Sequence, residues 1–359
     1  MKKILFSILY FVLCPLVLSA QQLPDPHFED WSDRFNGEVQ PAKWHGSNVS
    51  MMGFKFTFLN QKPGRTGNCV YIAGRSVGAL GILEVAPGYV TLGKPWQYMK
   101  GLNPKTGTAG VCGGIAWHYR PDTMAVWIKR VGPATDKEDF QLLYYAWQGT
   151  AASAQYKSKS GGCVTTNRIN EESDIRMALG ANDCGTDEPA LQIAEGWHRA
   201  RAKYNEWTRI KVPIFYMNDS IPSMCNVIFS AGHYPAFRIV EGVYEGNALY
   251  VDDVELIYSS RIDKLVINGK EWREFNPDTD QVQTYKLSDN EAQTVQMEGF
   301  RGIGVLTNIK GEKARFNGRK LGTSEMTVTP GTVNGTPWTI TVTAEDNSST
   351  HVYKIKVIH

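Results

Sequence analysis

An excess of either charge is missing from this sequence. Lysine and arginine number 38 against 36 aspartates and glutamates, a formal +2 over 359 residues. Nothing in that balance steers the chain to nucleic acid or to an anionic membrane surface. Long apolar runs are scarce as well. The longest, from Ile4 to Leu18, follows Met1-Lys2-Lys3 and leads into Ser19-Ala20. That order is a basic start, an apolar centre and a small residue for cleavage. The run is too short to anchor in a bilayer, and Leu13 before Cys14 argues against lipid attachment there. The expectation is a signal peptide over residues 1–20 and a protein exported to the periplasm, the cell surface or the medium, not embedded in a membrane. Loss of Lys2 and Lys3 brings the formal charge to zero. Histidine is also sparse. The seven present are scattered, and no Cys or His pair has the spacing of a zinc finger.

Long helical periodicity is absent. What is present is a succession of short extended runs punctuated by Gly, Pro and Asn, the pattern of all-β sandwiches. Expected strands include 53–59, 69–73, 114–119, 124–129, 140–147, 207–213, 224–230 and 249–258. Residues 149–206 form a long polar excursion, with a short helix expected around 189–201. Five cysteines follow the signal: Cys69, Cys112 and Cys225 in strand-like runs that suit core packing, and Cys163 and Cys184, which flank a polar segment and can pair in an oxidising compartment. Ser259-Ser260-Arg261 reads as a joint. Beyond it, "WTITVTA" and "VYKIKVI" alternate cleanly, and about 100 residues of this kind suit a seven-strand immunoglobulin-like sandwich. The division expected is therefore 21–259 and 260–359.

"ALYVDDVELIY", Ala248–Tyr258, poses a question of its own. Strict alternation puts Tyr250, Asp252, Val254, Leu256 and Tyr258 on one face. A carboxylate on that apolar face must be neutralised by a cation or by strong donors.

Several pieces fall into a recognisable order: Phe28-Glu29-Asp30-Trp31, then Trp44 with Gly46-Ser47-Asn48, then Pro87–Trp96, Tyr119-Arg120-Pro121-Asp122, Trp207–Pro213 and finally Leu249–Leu256. In this order the chain resembles the carbohydrate metabolism domain family of Bacteroidetes over roughly residues 25–258. That resemblance implies a jelly roll related in shape to carbohydrate-binding modules and to some glycoside hydrolases, with glycans as the ligand class. It departs from the family in two respects. The small sandwich follows the jelly roll instead of preceding it, and the Cys163–Cys184 excursion has no counterpart. The resemblance also implies that the first and last strands lie side by side, gathering Glu29, Asp30 and Asp252. Similar modules hold a structural calcium near that corner, so Glu29 and Asp252 become candidate ligands for hard-oxygen coordination. The alternative is an Asp252 held by backbone amides or an arginine.

Sugar recognition requires flat rings against C–H faces and a few directed hydrogen bonds. Trp44, Trp117, Arg120, Trp147 and His233 put rings beside polar groups at expected strand ends, and these five are the candidate glycan site. Converging rings and polar groups in a concave pocket favour recognition. Two opposed carboxylates favour the alternative, a glycoside hydrolase. The carboxylate clusters Glu171, Glu172, Asp174 and Asp136, Glu138, Asp139 read as solvated loops. An exposed apolar patch favours a third class, a protein-binding adhesion protein. Gly74–Gly78 matches G-x-S-x-G, but no helix can follow it, so a nucleophile elbow is not expected.

Overall fold

The structure is a computed structural model. It describes residues 22–35, 38–51, 54–79, 82–99, 108–131, 140–148, 154–157, 163–166, 175–177, 191–218, 220–232, 245–267, 269–286, 293–298, 303–307, 313–317, 324–328 and 338–358. Among these residues the secondary structure is β throughout.

Twelve strands build the main body. In chain order they are β1 (His45–Gly46), β2 (Leu59–Pro63), β3 (Asn68–Ala73), β4 (Tyr89–Thr91), β5 (Ile115–Ala116), β6 (Thr123–Val131), β7 (Phe140–Gln148), β8 (Leu191–Ala200), β9 (Tyr204–Pro213), β10 (Phe215–Tyr216), β11 (Met224–Ser230) and β12 (Ala248–Ile257). One antiparallel sheet runs β10-β8-β7-β11-β4-β1, with β5 also on β11; the other runs β9-β6-β12-β3-β2. One apolar core lies between them, joining Val126, Ile128, Leu249 and Val251 of the second sheet to Leu142, Tyr144, Val227 and Phe229 of the first. The architecture is a β-sandwich. Strand β7 explains why the sequence folds this way. Alternate residues Phe140, Leu142, Tyr144 and Ala146 fill the central core. Leu143, Tyr145 and Trp147 point the other way, into a second cluster with Tyr89, Met224 and Ile228.

The segment expected to be helical, 189–201, is strand β8. It pairs with β7 from Phe140↔Ala200 to Gln148↔Leu191. A sheet edge to join outweighs weak helix propensity, and Gly196 in the middle lowers that propensity further. The G-x-S-x-G stretch is half of a hairpin: Arg75–Ala79 pairs with Ile82–Ala86.

Alternation in β12 also departs from the expectation. Ala125 faces Glu255 while Trp127 faces Asp252, so two residues of β12 oppose Val126 alone. This is a β-bulge, and Asp253 carries it at φ 45°. Leu249 and Val251 point into the core before the bulge; Val254, Leu256 and Tyr258 do so after it. Asp252 therefore shares its face with Tyr250, not with Val254 and Leu256, and that face is the outer one.

After Tyr258 the chain forms a sheet of four strands (Lys270–Glu271, Lys264–Ile267, Gln293–Glu298, Ser324–Val328) and a sheet of five (Val282–Lys286, Thr350–Ile358, Trp338–Thr343, Ile303–Thr307, Lys313–Asn317). The first strand of the five-stranded sheet runs parallel to the last strand of the chain. Ile262, Leu265, Trp272, Ile340, Tyr353 and others make a separate apolar cluster. Ala344 packs instead on the core of the main body. Glu345 Oε2 also reaches the main body, accepting the Arg120 backbone N–H at 3.0 Å.

Candidate functional site

The buried carboxylate is satisfied by a hairpin. The turn between β2 and β3 folds over the outer face of β12, closed by Gly64 N–H donating to Gly67 O at 2.9 Å. Asp252 Oδ2 accepts the Arg65 N–H at 2.7 Å, and Oδ1 accepts the Asp253 N–H at 2.8 Å. The Thr66 amide also bonds to it. Asp252 is fully buried. Burial raises its pKa from 3.8 to about 6, against the opposing pull of these amides. Glu29 holds the same hairpin from its other end, accepting the Asn68 N–H at 2.8 Å and Asn68 Nδ2 at 2.6 Å. The glycines are required by contact. A Cβ on Gly64 would sit 2.5 Å from Asp252 Oδ2, and one on Gly67, at φ +63°, would sit 2.0 Å from Glu29 Oε1. Cys69 lies beneath, its thiol pushed up to about 12 by burial first and then by Asp252 and Glu29. It is buried and forms no disulfide.

Beside the latch, His27, Asp252 and Asp253 bring one ligand atom each within 4.8 Å of one another, a potential His/Asp metal-ligand cluster. Its donors are in use. Asp253 Oδ2 binds Arg65 through Nε at 2.5 Å and Nη2 at 2.5 Å, and Oδ1 lies 2.6 Å from His27 Nδ1. A guanidinium already supplies the positive charge, and an imidazole nitrogen is not the hard oxygen that calcium selects. Glu29 is turned to Asn68, outside the cluster. The residues present do not fit a calcium ion.

The residues expected to form a glycan pocket are placed apart. Trp44 is fully buried between Phe28, with centroids 5.1 Å apart, and Phe229, at 5.9 Å. Trp117 is fully buried against Tyr119. Arg120 is buried with its guanidinium 4.2 Å above the Tyr216 ring and Nη1 donating to Ser220 O. Trp147 is buried in the cluster on the far face of the first sheet. His233 lies outside the described residues, as does Cys184. Trp44, Trp117, Trp147 and Arg120 are all buried, and a sandwich uses its largest rings to fill its core.

A different surface has the required composition. Two adjoining grooves run along β2. The larger, about 480 Å³, is lined by Lys55, Phe56, Thr57, Asn60, Arg75 and Ser76. The smaller, about 240 Å³, shares Lys55, Thr57 and Asn60 with it and adds Trp31, Val39, Asn48, Leu59 and Gln61. Trp31 and Phe56 are half-buried rings resting on the core. The Trp31 indole N–H is fixed on Phe28 O at 2.8 Å. Asn48 is a strut: its Nδ2 donates to Val39 O and Leu59 O, and its Oδ1 accepts from Phe58 and Leu59 N–H. Arg75 is held across the groove by Nε donating to Thr57 O at 3.2 Å. Ser76 Oγ donates to Glu245 at 2.7 Å. Asn60 is the cross-strand partner of Tyr71, and Tyr71 of Tyr250. From there a ring row crosses the outer face: Tyr71 on Tyr250 at 4.9 Å and Tyr250 on Trp207 at 6.4 Å, both edge to face. Arg65 covers Trp127 at 4.8 Å. The sequence held a signal for this groove in "FKFTF", Phe54–Phe58, where Lys55 and Thr57 alternate with phenylalanines.

No protein-family model matches the chain, and no curated protein sequence matches it. Solved structures give distant likenesses. A candidate glycoside hydrolase from Bacteroides thetaiotaomicron is 16% identical over 65% of this chain and 70% of its own, with a TM-score of 0.40. Another from Bacteroides vulgatus is 16% identical over 65% and 93%, with a TM-score of 0.38. A family 11 carbohydrate-binding module from Clostridium thermocellum, in complex with a β-1,3-1,4-mixed-linked tetrasaccharide, is 13% identical over 64% and 94%, with a TM-score of 0.25. Similarity at this level carries no argument about the role of this chain.

Proposed function

We propose that this is an exported carbohydrate-binding protein whose ligand lies in the grooves along β2 and extends over Tyr71. The binding unit in this reading is a jelly roll over residues 21–259, with residues 260–359 an immunoglobulin-like support. One observation carries the proposal. Shallow, open grooves, half-buried rings (Trp31, Phe56) and short polar side chains (Thr57, Asn60, Gln61) coincide there. Rings supply stacking area, while amides and hydroxyls supply directed bonds. None of the described residues lining the grooves is acidic, so the paired carboxylates of glycoside hydrolysis are not supplied by them. Recognition without cleavage is the reading they support.

A glycan array followed by affinity electrophoresis on the mature chain tests this. Trp31→Ala and Asn60→Ala should each weaken retention, with loss of the stacked ring worth about 1–3 kcal/mol, roughly 5- to 150-fold. Reducing ends should not accumulate. A chain that retains no glycan, or one indifferent to both changes, refutes the assignment.

A second reading has its own observation. Trp197, Phe215, Met217, Leu191 and Ile221 are the exposed large apolar residues around β8 and β10, with Phe215 61% and Trp197 59% exposed. Phe215 pairs across from Glu195, two residues before Trp197, at the edge of the first sheet. Such a patch suits a protein partner.

A further inference from the structure

We infer that the sugar bound beside Trp31 is held through a free vicinal diol, two neighbouring ring hydroxyls, by the backbone N–H and C=O of Gln61; this rests on the carbohydrate-binding reading above. The smaller groove is lined by Leu59, Asn60 and Gln61 in succession. Successive side chains of a strand point to opposite faces. A groove that touches three in a row therefore runs over the edge of the strand, where backbone forms the surface. Strand β2 is the last of its sheet, so one of its edges has no strand beside it.

The register decides which backbone groups face that edge. Strands β2 and β3 keep one alignment from Leu59↔Ile72 to Pro63↔Asn68. Ala73 N–H donates to Phe58 O before this stretch, and Gly64 N–H donates to Gly67 O after it. Bonded pairs alternate along an antiparallel ladder, so Asn60 and Lys62 turn their N–H and C=O to β3. Leu59, Gln61 and Pro63 turn theirs outward. Leu59 is already served: Asn48 Oδ1 accepts its N–H at 2.7 Å, and Asn48 Nδ2 donates to its O at 3.0 Å. Pro63 has no N–H to offer. Gln61 is left with a donor and an acceptor side by side, and none of the described residues bonds to either.

This edge is closed to an added peptide strand, which takes bonded pairs at every second residue. Asn48 and a proline block the positions on either side of Gln61. What remains open is a single donor–acceptor pair, suited to a small group. A hydroxyl both donates and accepts. Of two neighbouring ring hydroxyls, one accepts the Gln61 N–H while the other donates to its C=O. A trans amide, as in an acetamido sugar, points its N–H and C=O in opposite directions and meets only one of them. Trp31 lines the same groove, with its indole N–H fixed on Phe28 O. It offers the sugar ring a face and leaves the directed bonds to Gln61 and its neighbours.

The test uses the mature full-length chain with β-1,4-xylan and β-1,4-galactan, whose internal units keep a free diol, and with β-1,3-glucan, whose internal units have none. The expected result is retention by xylan or galactan and not by β-1,3-glucan. Gln61→Pro removes the donor and leaves the ladder intact, since Pro63 already occupies an equivalent position of the same strand. It should weaken retention about three- to tenfold, with the melting temperature unchanged. Gln61→Ala keeps the backbone and should weaken it less. Hydrogen exchange of individual amides gives a readout that needs no variant. Without sugar, the Gln61 N–H should exchange faster than those of Asn60 and Lys62, and a soluble oligosaccharide of the retained polymer should slow it about tenfold. If Gln61→Pro fails to fold, this exchange measurement decides alone. A Gln61 amide already protected without sugar, or unmoved by bound sugar, overturns the inference. So does a folded Gln61→Pro that binds like the parent, or equal retention by β-1,3-glucan; these outcomes leave the carbohydrate reading standing. Retention by none of the polymers overturns the inference, and a blank glycan array alongside it overturns the carbohydrate reading as well.

Discussion

Replacing Asp252 with asparagine tests the latch in a way no loss-of-contact argument can imitate. The folded protein raises this pKa from 3.8 to about 6. An acid whose pKa is higher in the folded state binds its proton more tightly there. Asp252 therefore contributes most to stability below pH 3.8, and that contribution is lost as pH rises through about 6. Taking 3.8 and 6 as the two limits, acidifying from about pH 7.5 to about pH 4.5 stabilises the parent by about 2 kcal/mol through this group alone. The asparagine variant cannot titrate at this position. It also turns an amide donor toward a backbone N–H that formerly met an oxygen, an unmade bond worth about 1–3 kcal/mol. At the higher pH the lost bond and the relieved buried charge nearly cancel, so the two proteins should differ little. At the lower pH the parent should be the more stable by about 2 kcal/mol. Urea unfolding followed by tryptophan fluorescence at both pH values gives the two differences. A gap between parent and variant that stays constant within about 0.5 kcal/mol across that range would falsify the account of Asp252 as a buried, amide-held acid.

Three further outcomes follow from the same structure. Gly64→Ala should destabilise by about 1–3 kcal/mol, because its Cβ has no room beside Asp252 Oδ2 and the Asn68 carbonyl; a neutral result in thermal melting would mean that the hairpin lifts freely. Chelation with EDTA should leave the melting temperature unchanged, since protein donors already serve Glu29, Asp252 and Asp253; a drop reversed by calcium would restore the ion. A chain ending at Tyr258 should still unfold cooperatively but at a lower temperature, since it loses Ala344 and the Glu345–Arg120 bond; a molten product with no near-ultraviolet circular dichroism would remove the two-domain division.

The parts of this molecule that local patterning dictates could be read from the chain. Alternating runs such as 140–147 and 249–257 are strands. The parts set by one extra residue could not. A single insertion opposite Val126 reverses the facing of everything before it in β12, and no composition rule marks Asp253 as the residue that takes it. The candidate site residues were hard to place for a related reason. Tryptophan beside arginine at a strand end looks alike whether the strand end is a rim or a corner of the core, and Trp117 with Arg120 proved to be a corner. The groove was less visible because polar residues of its lining come from separate stretches, 55–57, 60–61 and 75–76 among them, that only the fold brings together.

The placement of β12 has a consequence for how the chain is made. It is the middle strand of its sheet, between β6 and β3, yet it is the last of the twelve to be synthesised. The first described residues wait for it too: Gln22 exchanges two hydrogen bonds with Leu256, and Pro26 O accepts from Val254 N–H. Until Ile257 has cleared the ribosome, β3 and β6 have no neighbour on their facing edges. Their unpaired backbones and the apolar residues behind them stay open to other chains throughout that interval. Folding of the sandwich is thus gated by emergence of one late strand, and a holding factor would act on β3 and β6 first.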